Sequence, residues 1–291
     1  VNLQFPDTSP KVSVLYKSSF FEIVNFICQC TDCTLSKPEY QHVFSICYIR
    51  KGSFLFKVFR NDLDSISGHF LINKPHVDYR VAHLHNMPDE CTIISFTDEF
   101  YTQFKEEPSN RYAGFLKNPD QHSMLLVSTP QTDYLHYQIF ETLKNSSSPG
   151  LLIECLVMEL AEILFFGKAA TSQKAISDSA KKNYLPKIET VRNFIHNDFA
   201  TDISLNDLSA QAFMSPFHFS RTFKQFTHTS PYQYLLQFRI SHAEYLLKNT
   251  DLPVAEVASS SGFNHPDYFS AAFTKKNKMS PSEYKSAGIK K

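Results

Sequence analysis

Three features of the chain predict an α+β multidomain protein: an N-terminal β-barrel or sandwich with helices behind it, then a C-terminal all-α domain. Short apolar or β-branched runs, separated by turn signals, fill residues 12–96. After Phe96 the apolar spacing changes from that of strands to that of helices. Near the C-terminus a helical segment repeats itself fifty residues further on. The 291 residues leave room for two domains, and 42% hydrophobic and 14% aromatic residues exclude a chain disordered throughout.

The expected strands are 12–16, 21–27, 43–49, 52–59, 69–73, 78–83 and 91–96. Arg50-Lys51-Gly52 reads as a hairpin connection, and Asn73-Lys74-Pro75 closes another. Helical spacing then runs through Phe100, Tyr101 and Phe104, through Tyr134, Tyr137, Ile139 and Leu143, and through Ile153, Leu156, Val157, Leu160, Ile163 and Leu164. That last stripe serves equally to cover a sheet or to meet a second copy. Residues 169–183, small and polar, are the expected linker between a β-rich domain (1–168) and a helical domain (184–291).

Charge refines this division. The chain holds 29 basic and 29 acidic residues, but 184–291 carries 12 against 9 and 1–183 carries 17 against 20. The C-terminal domain is thus mildly basic. The most apolar run, 151–167, is interrupted by Glu154, Glu159 and Glu162, too charged to span a bilayer. Six scattered cysteines and no signal-like leader point to reduced thiols and a cytoplasmic location.

The repeat carries the functional argument. A shift of 50 aligns residues 215–234 with 265–284, and seven of the 20 positions are identical: Pro216, Phe219, Ser220, Phe223, Ser230, Pro231 and Tyr234. In the first copy a short helix bearing Leu205, Leu208 and Ala212 leads through a turn at Phe213-Met214 to Ser215, an N-cap, and Pro216, at the first helical position. Phe219, Phe223 and Phe226 then form a buried stripe, leaving Phe217, His218, Ser220, Arg221, Lys224 and Gln225 outside. Two short helices joined in this way make a helix-turn-helix. The second copy uses Val254, Val257 and Ala258, a turn at Gly262, and Phe269 with Phe273. Between them, 231–248 reads as one amphipathic helix of roughly 27 Å, suited to holding two recognition helices near the ~34 Å repeat of the major groove.

MSPFHFSRTFK, SPYQYLLQFRISHAEYLL, VAEVASSSGFNHPDYFSAAF and SPSEY, at these spacings, resemble the DNA-binding domain of AraC/XylS transcription regulators over about residues 188–284. The resemblance implies a sequence-specific regulator of transcription, more commonly an activator, that binds double-stranded DNA and works with RNA polymerase. By position it implies base-reading roles for Phe217, Ser220 and Arg221, and for Pro266, Asp267, Tyr268, Ser270 and Ala271, with His218 and Lys224 beside the first set. Lys275 and Lys276, with Lys278, are expected to hold phosphates. Where the family tends to place glycine after each recognition helix, this chain has His228 and Lys278. If left-handed, they cost about 1 kcal/mol each.

Such regulators commonly carry a cupin-like β-barrel, which implies a small-molecule effector and a homodimer. Two clusters there invite a sensor reading. His83 and His85 share a strand face, and Cys28, Cys30 and Cys33 lie close together, with His42, His76 or Cys47 as possible neighbours. The alternative is ordinary surface or core histidines and buried apolar thiols. No cofactor or catalytic residue is expected, since the chain lacks G-x-S-x-G, a P-loop and H-E-x-x-H. The rival reading is a cupin metalloprotein, or a redox or metal sensor, fused to a DNA-binding domain.

Overall fold

The computed structural model describes residues 10–29, 35–83, 88–107, 111–145, 150–166 and 176–288. These divide into two compact units, one formed by the chain to 128 with 138–186, the other by 129–137 with 187–291.

Among the described residues the first unit is built on ten strands: β1 (Lys11–Lys17), β2 (Phe21–Ile27), β3 (Glu39–Gln41), β4 (Ser45–Lys51), β5 (Ser53–Val58), β6 (Asn61–Ile66), β7 (His69–Asn73), β8 (Val77–Ala82), β9 (Glu90–Phe96) and β10 (Ser123–Val127). They form a six-stranded sheet, β1-β2-β9-β4-β7-β10, and a four-stranded sheet, β3-β8-β5-β6. Every pairing among the described residues is antiparallel. All seven expected strands are present. β3, β6 and β10 were not expected: β3 has three residues, β6 carries Asp62 and Asp64, and β10 lies among helices.

Two expected hairpins are corners instead. β4 pairs with β7 and β9 while β5 pairs with β6 and β8, so the chain changes sheet at Gly52. Gly52 has φ +78°, and a Cβ there would stand 2.5 Å from the Pro88 carbonyl oxygen. Asn73-Lys74-Pro75 likewise leads from β7 in one sheet to β8 in the other. The true two-residue hairpin joins β5 to β6 at Phe59-Arg60, with Phe59 at φ +52°.

Helices follow at α1 (Asp98–Glu106), α2 (Ala113–Lys117), α3 (Pro130–Asn145) and α4 (Gly150–Phe166). In α4 Ile153, Leu156, Val157, Leu160, Ala161, Leu164 and Phe165 are buried, while Leu151, Leu152, Cys155 and Met158 are exposed. The next helix, α5 (Asp178–Asp198), starts within the segment read as a linker, of which 167–175 lie outside the described residues. No described helix is long and apolar enough to cross a membrane.

The second unit is helical: α6 (Leu205–Gln211), α7 (Pro216–Thr227), α8 (Pro231–Asn249), α9 (Val254–Ser260), α10 (Pro266–Asn277) and α11 (Pro281–Gly288). A buried polar knot ties its elements together. Arg192 pairs with Asp133 at 2.9 Å, and the Tyr234 hydroxyl donates to the second Asp133 oxygen. His196 Nε2 lies 3.0 Å from the same hydroxyl, its ring stacked on Phe238. Burial pushes His196 down to about 4, with Asp133 opposing and Arg192 adding to the shift. Burial alone does the same to His242, whose Nδ1 meets the Ser261 hydroxyl.

Candidate nucleic-acid interface and the cavity of the β domain

The sequence repeat is also a repeat of geometry. In α7 the Phe219 and Phe223 rings lie 5.5 Å apart at 55°; in α10 Phe269 and Phe273 lie 5.6 Å apart at 57°. Phe223 meets Tyr234 edge-on at 5.4 Å, and Phe273 meets Tyr284 edge-on at 5.3 Å. Ser230 caps α8 by accepting from the Gln233 N–H, and Ser280 accepts from the Glu283 N–H. Both recognition helices end in a left-handed residue, His228 (φ +57°) and Lys278 (φ +61°), at the two positions that lack the expected glycine.

The copies differ at their turns. α6 and α9 begin 49 residues apart, whereas α7 and α10 begin 50 apart, so the second turn is one residue longer. Its left-handed residue is Gly262 (φ +80°); the counterpart in the first turn is Phe213 (φ +52°). Ser204 opens α6 in a reciprocal capping box with Asp207, and Ser215 caps α7. α10, in contrast, starts at His265 with no side-chain cap.

The buried stripe of α7 is Phe219, Thr222, Phe223 and Phe226. It leaves Phe217, His218, Arg221, Lys224 and Gln225 exposed, with Ser220 half-buried at the edge. Phe217 is 74% exposed, and the Arg221 guanidinium sits 5.7 Å from its ring centre. That cation–π contact, one helical turn apart, orients the guanidinium along the outer face. A planar five-donor group held there matches the two acceptors of guanine in a major groove.

The outer face of α10 is poorer in donors. Pro266, Asp267, Tyr268, Ala271 and Lys275 are exposed and Ser270 is half-buried. Asp267 sits in the first turn, where a carboxylate complements the helix dipole. The Tyr268 hydroxyl is bonded to that of Tyr232 on α8, and partial burial followed by Tyr232 pushes it up to about 12. Tyr232 is not among the residues that the sequence singles out, and only the contact between α8 and α10 reveals the pair. Lys276 departs from its expected phosphate role: its ammonium reaches Glu244 at 3.0 Å and Ser241 at 3.3 Å on α8.

A family model described as "Helix-turn-helix domain" matches residues 208–287. The Msm operon regulatory protein of Streptococcus mutans is 24% identical over 85% of this chain and 86% of its own length. The HTH-type transcriptional activator RhaR of Mannheimia succiniciproducens is 30% identical over 52% of each chain. The chain belongs to the AraC/XylS family of transcription regulators. Its alignment spans about half the length of the RhaR relatives. The solved DNA-binding domain of AdpA, in complex with a target DNA, is 30% identical over 35% of this chain and 91% of that one, with a TM-score of 0.34. The helix-turn-helix units are the DNA-binding part of this family member.

The β domain contains a cavity of about 460 Å³ lined by residues of both sheets, among them Phe26, Phe54, Phe56, Leu71, Tyr79 and Ile93. The size and mostly apolar wall suit a small molecule. Of the sensor candidates, Cys30, Cys33 and His85 lie outside the described residues. Cys28 and His83 both line the cavity and come together with Asp89, which the sequence did not single out. Neither His42 nor His76 joins this group; their rings instead flank Tyr40. Burial opposes a charge on His83, but Asp89 and then Cys28 outweigh it and raise the imidazole to about 9. Cys47 and Cys91 also line the cavity, and the Cys91 thiol is pushed up by Cys47 and by burial.

Proposed function

We propose that this regulator reads promoter DNA chiefly through α7, with Arg221 and Phe217 at base edges, Ser220, His218 and Lys224 beside them, and α10 as the secondary contact. The observation that carries this reading is the asymmetry of the two outer faces. α7 presents an oriented arginine, whereas α10 presents Asp267, a tyrosine already bonded to Tyr232, and Ala271 in place of an arginine. Ser270 and Lys275 then add hydroxyl and phosphate contacts at the second groove. α8, which joins the two units, has the length to place them in successive grooves.

The protein acts by occupying DNA and contacting RNA polymerase, as an activator, in the cytoplasm, and not by catalysis. The 460 Å³ cavity supports a small-molecule effector in the β domain. The exposed outer stripe of α4, Leu151, Leu152, Cys155 and Met158, supports contact with a second copy. Genomic fragments retained by the purified full chain, followed by hydroxyl-radical footprinting on a mutated operator series, test the reading. Base-pair changes under α7 are expected to weaken binding more than those under α10. Equal or greater sensitivity under α10 refutes it.

A further inference from the structure

β2 ends at Ile27, paired with Glu90 at the start of β9, and one more main-chain bond extends the ladder: Cys28 N–H donates to the Asp89 carbonyl at 2.9 Å. Cys28 and Asp89 are therefore held side by side at the end of the six-stranded sheet. His83 immediately follows β8 of the other sheet and pairs with Asp89 through Nε2. A ligand atom from each of the three residues lies within 4.8 Å of the others. Asp89 and Cys28 are buried, and His83 Nδ1 is buried with no hydrogen-bond partner, an unusual state for a native polar atom.

The surroundings hold this geometry in place. The Gly52 corner packs so closely on Pro88 and Asp89 that a Cβ at Gly52 would stand 2.9 Å from the Asp89 Cα. The Cys91 thiol donates to the second carboxylate oxygen, Asp89 Oδ2, at 3.4 Å, the kind of supporting bond that orients a metal-binding carboxylate. One sulfur, one imidazole nitrogen and one carboxylate oxygen are a borderline-soft donor set. They suit zinc-type ions and not calcium or magnesium, which take oxygen ligands.

We propose that Cys28, His83 and Asp89 bind a divalent transition-metal ion of zinc type, with the fourth coordination position open to the cavity of the β domain. The ion ties the end of β8 in one sheet to the β2–β9 end of the other. It also gives a cavity ligand a Lewis-acidic atom to engage. This site stands independently of the DNA-reading assignment.

The test titrates the reduced, chelator-stripped full chain with Co²⁺ alone as an optical probe and with Zn²⁺ by competition. One equivalent is expected to bind, with a thiolate-to-cobalt charge-transfer band, visible bands of tetrahedral intensity, and displacement by Zn²⁺. Cys28→Ser abolishes the charge-transfer band, and His83→Gln and Asp89→Asn weaken Zn²⁺ binding by about tenfold or more. Cys155→Ser, which removes an exposed thiol on α4, leaves the spectrum unchanged. Far-ultraviolet circular dichroism checks each variant, and Cys28→Ser with His83→Gln decides if Asp89→Asn does not fold. The proposal falls if no stoichiometric binding occurs, if the band survives Cys28→Ser, or if only Cys30→Ser or Cys33→Ser removes it.

Discussion

Gly262 and Phe213 occupy the same left-handed position in the two helix-turn-helix turns, and exchanging their chemistry has opposite consequences. At Gly262 (φ +80°) an alanine Cβ would lie 2.7 Å from the Phe199 carbonyl oxygen, 2.9 Å from the Ala200 Cα and 2.9 Å from Arg239 Nε. Two of these neighbours are backbone. The third is pinned, since Arg239 donates to Phe199 O and Thr201 O at 2.7 Å each. The backbone strain costs about 1–2 kcal/mol, the overpacking about 1–3 kcal/mol, and a displaced guanidinium hydrogen bond about 1.5 kcal/mol. Gly262→Ala is therefore expected to destabilise the helical unit by about 3.5–6.5 kcal/mol, a large part of a typical domain's stability. Phe213, at φ +52° and 89% exposed, has the strain without the crowding. Phe213→Gly relieves that strain against a smaller entropic loss, for a net gain of about 0.5–1 kcal/mol. Urea and thermal unfolding of the full chain, following the transition in which DNA binding is lost, measures both. A loss below about 1 kcal/mol for Gly262→Ala, or a loss of any size for Phe213→Gly, refutes the reasoning.

Arg221→Ala is expected to weaken cognate DNA by about 1–3 kcal/mol and random DNA much less; equal losses in a salt-matched titration make Arg221 a phosphate contact. Lys276→Ala is expected to lower stability by leaving Glu244 without its partner while leaving the salt dependence of DNA binding nearly unchanged, and a slope reduced by about one phosphate contradicts this. His228→Gly and Lys278→Gly each add about 1 kcal/mol by relieving left-handed strain, read as a raised urea midpoint. His196 and His242 are held neutral near a pKa of about 4 in the fold, below their ordinary 6.5. Their contribution is complete above pH 6.5 and drains away as pH falls toward 4, about 1–2 kcal/mol each by pH 5. A helical-unit urea midpoint that stays flat from pH 7 to 5 counts against it.

The helical unit was legible in the sequence because its signals are local. Ser215-Pro216 sets a helix start, Phe219 and Phe223 one turn apart set its buried face, and the same pattern recurs at 266–273. Seven strands announced themselves in the same way, through runs of β-branched and aromatic residues. The polar β6 and the isolated β10 did not, because each is a strand only by virtue of the neighbour it pairs with. Tertiary structure alone decided that Gly52 is a corner between sheets, that Lys276 turns to Glu244, and that Tyr268 turns to Tyr232. The same holds for Asp89. Cys28 and His83 are 55 residues apart, and nothing in their spacing names a third partner. The β2–β9 register sets Cys28 against Asp89, and closure of the two sheets delivers His83. Periodicity encodes which face of an element is buried, whereas proximity across strands depends on pairing partners that no local pattern contains.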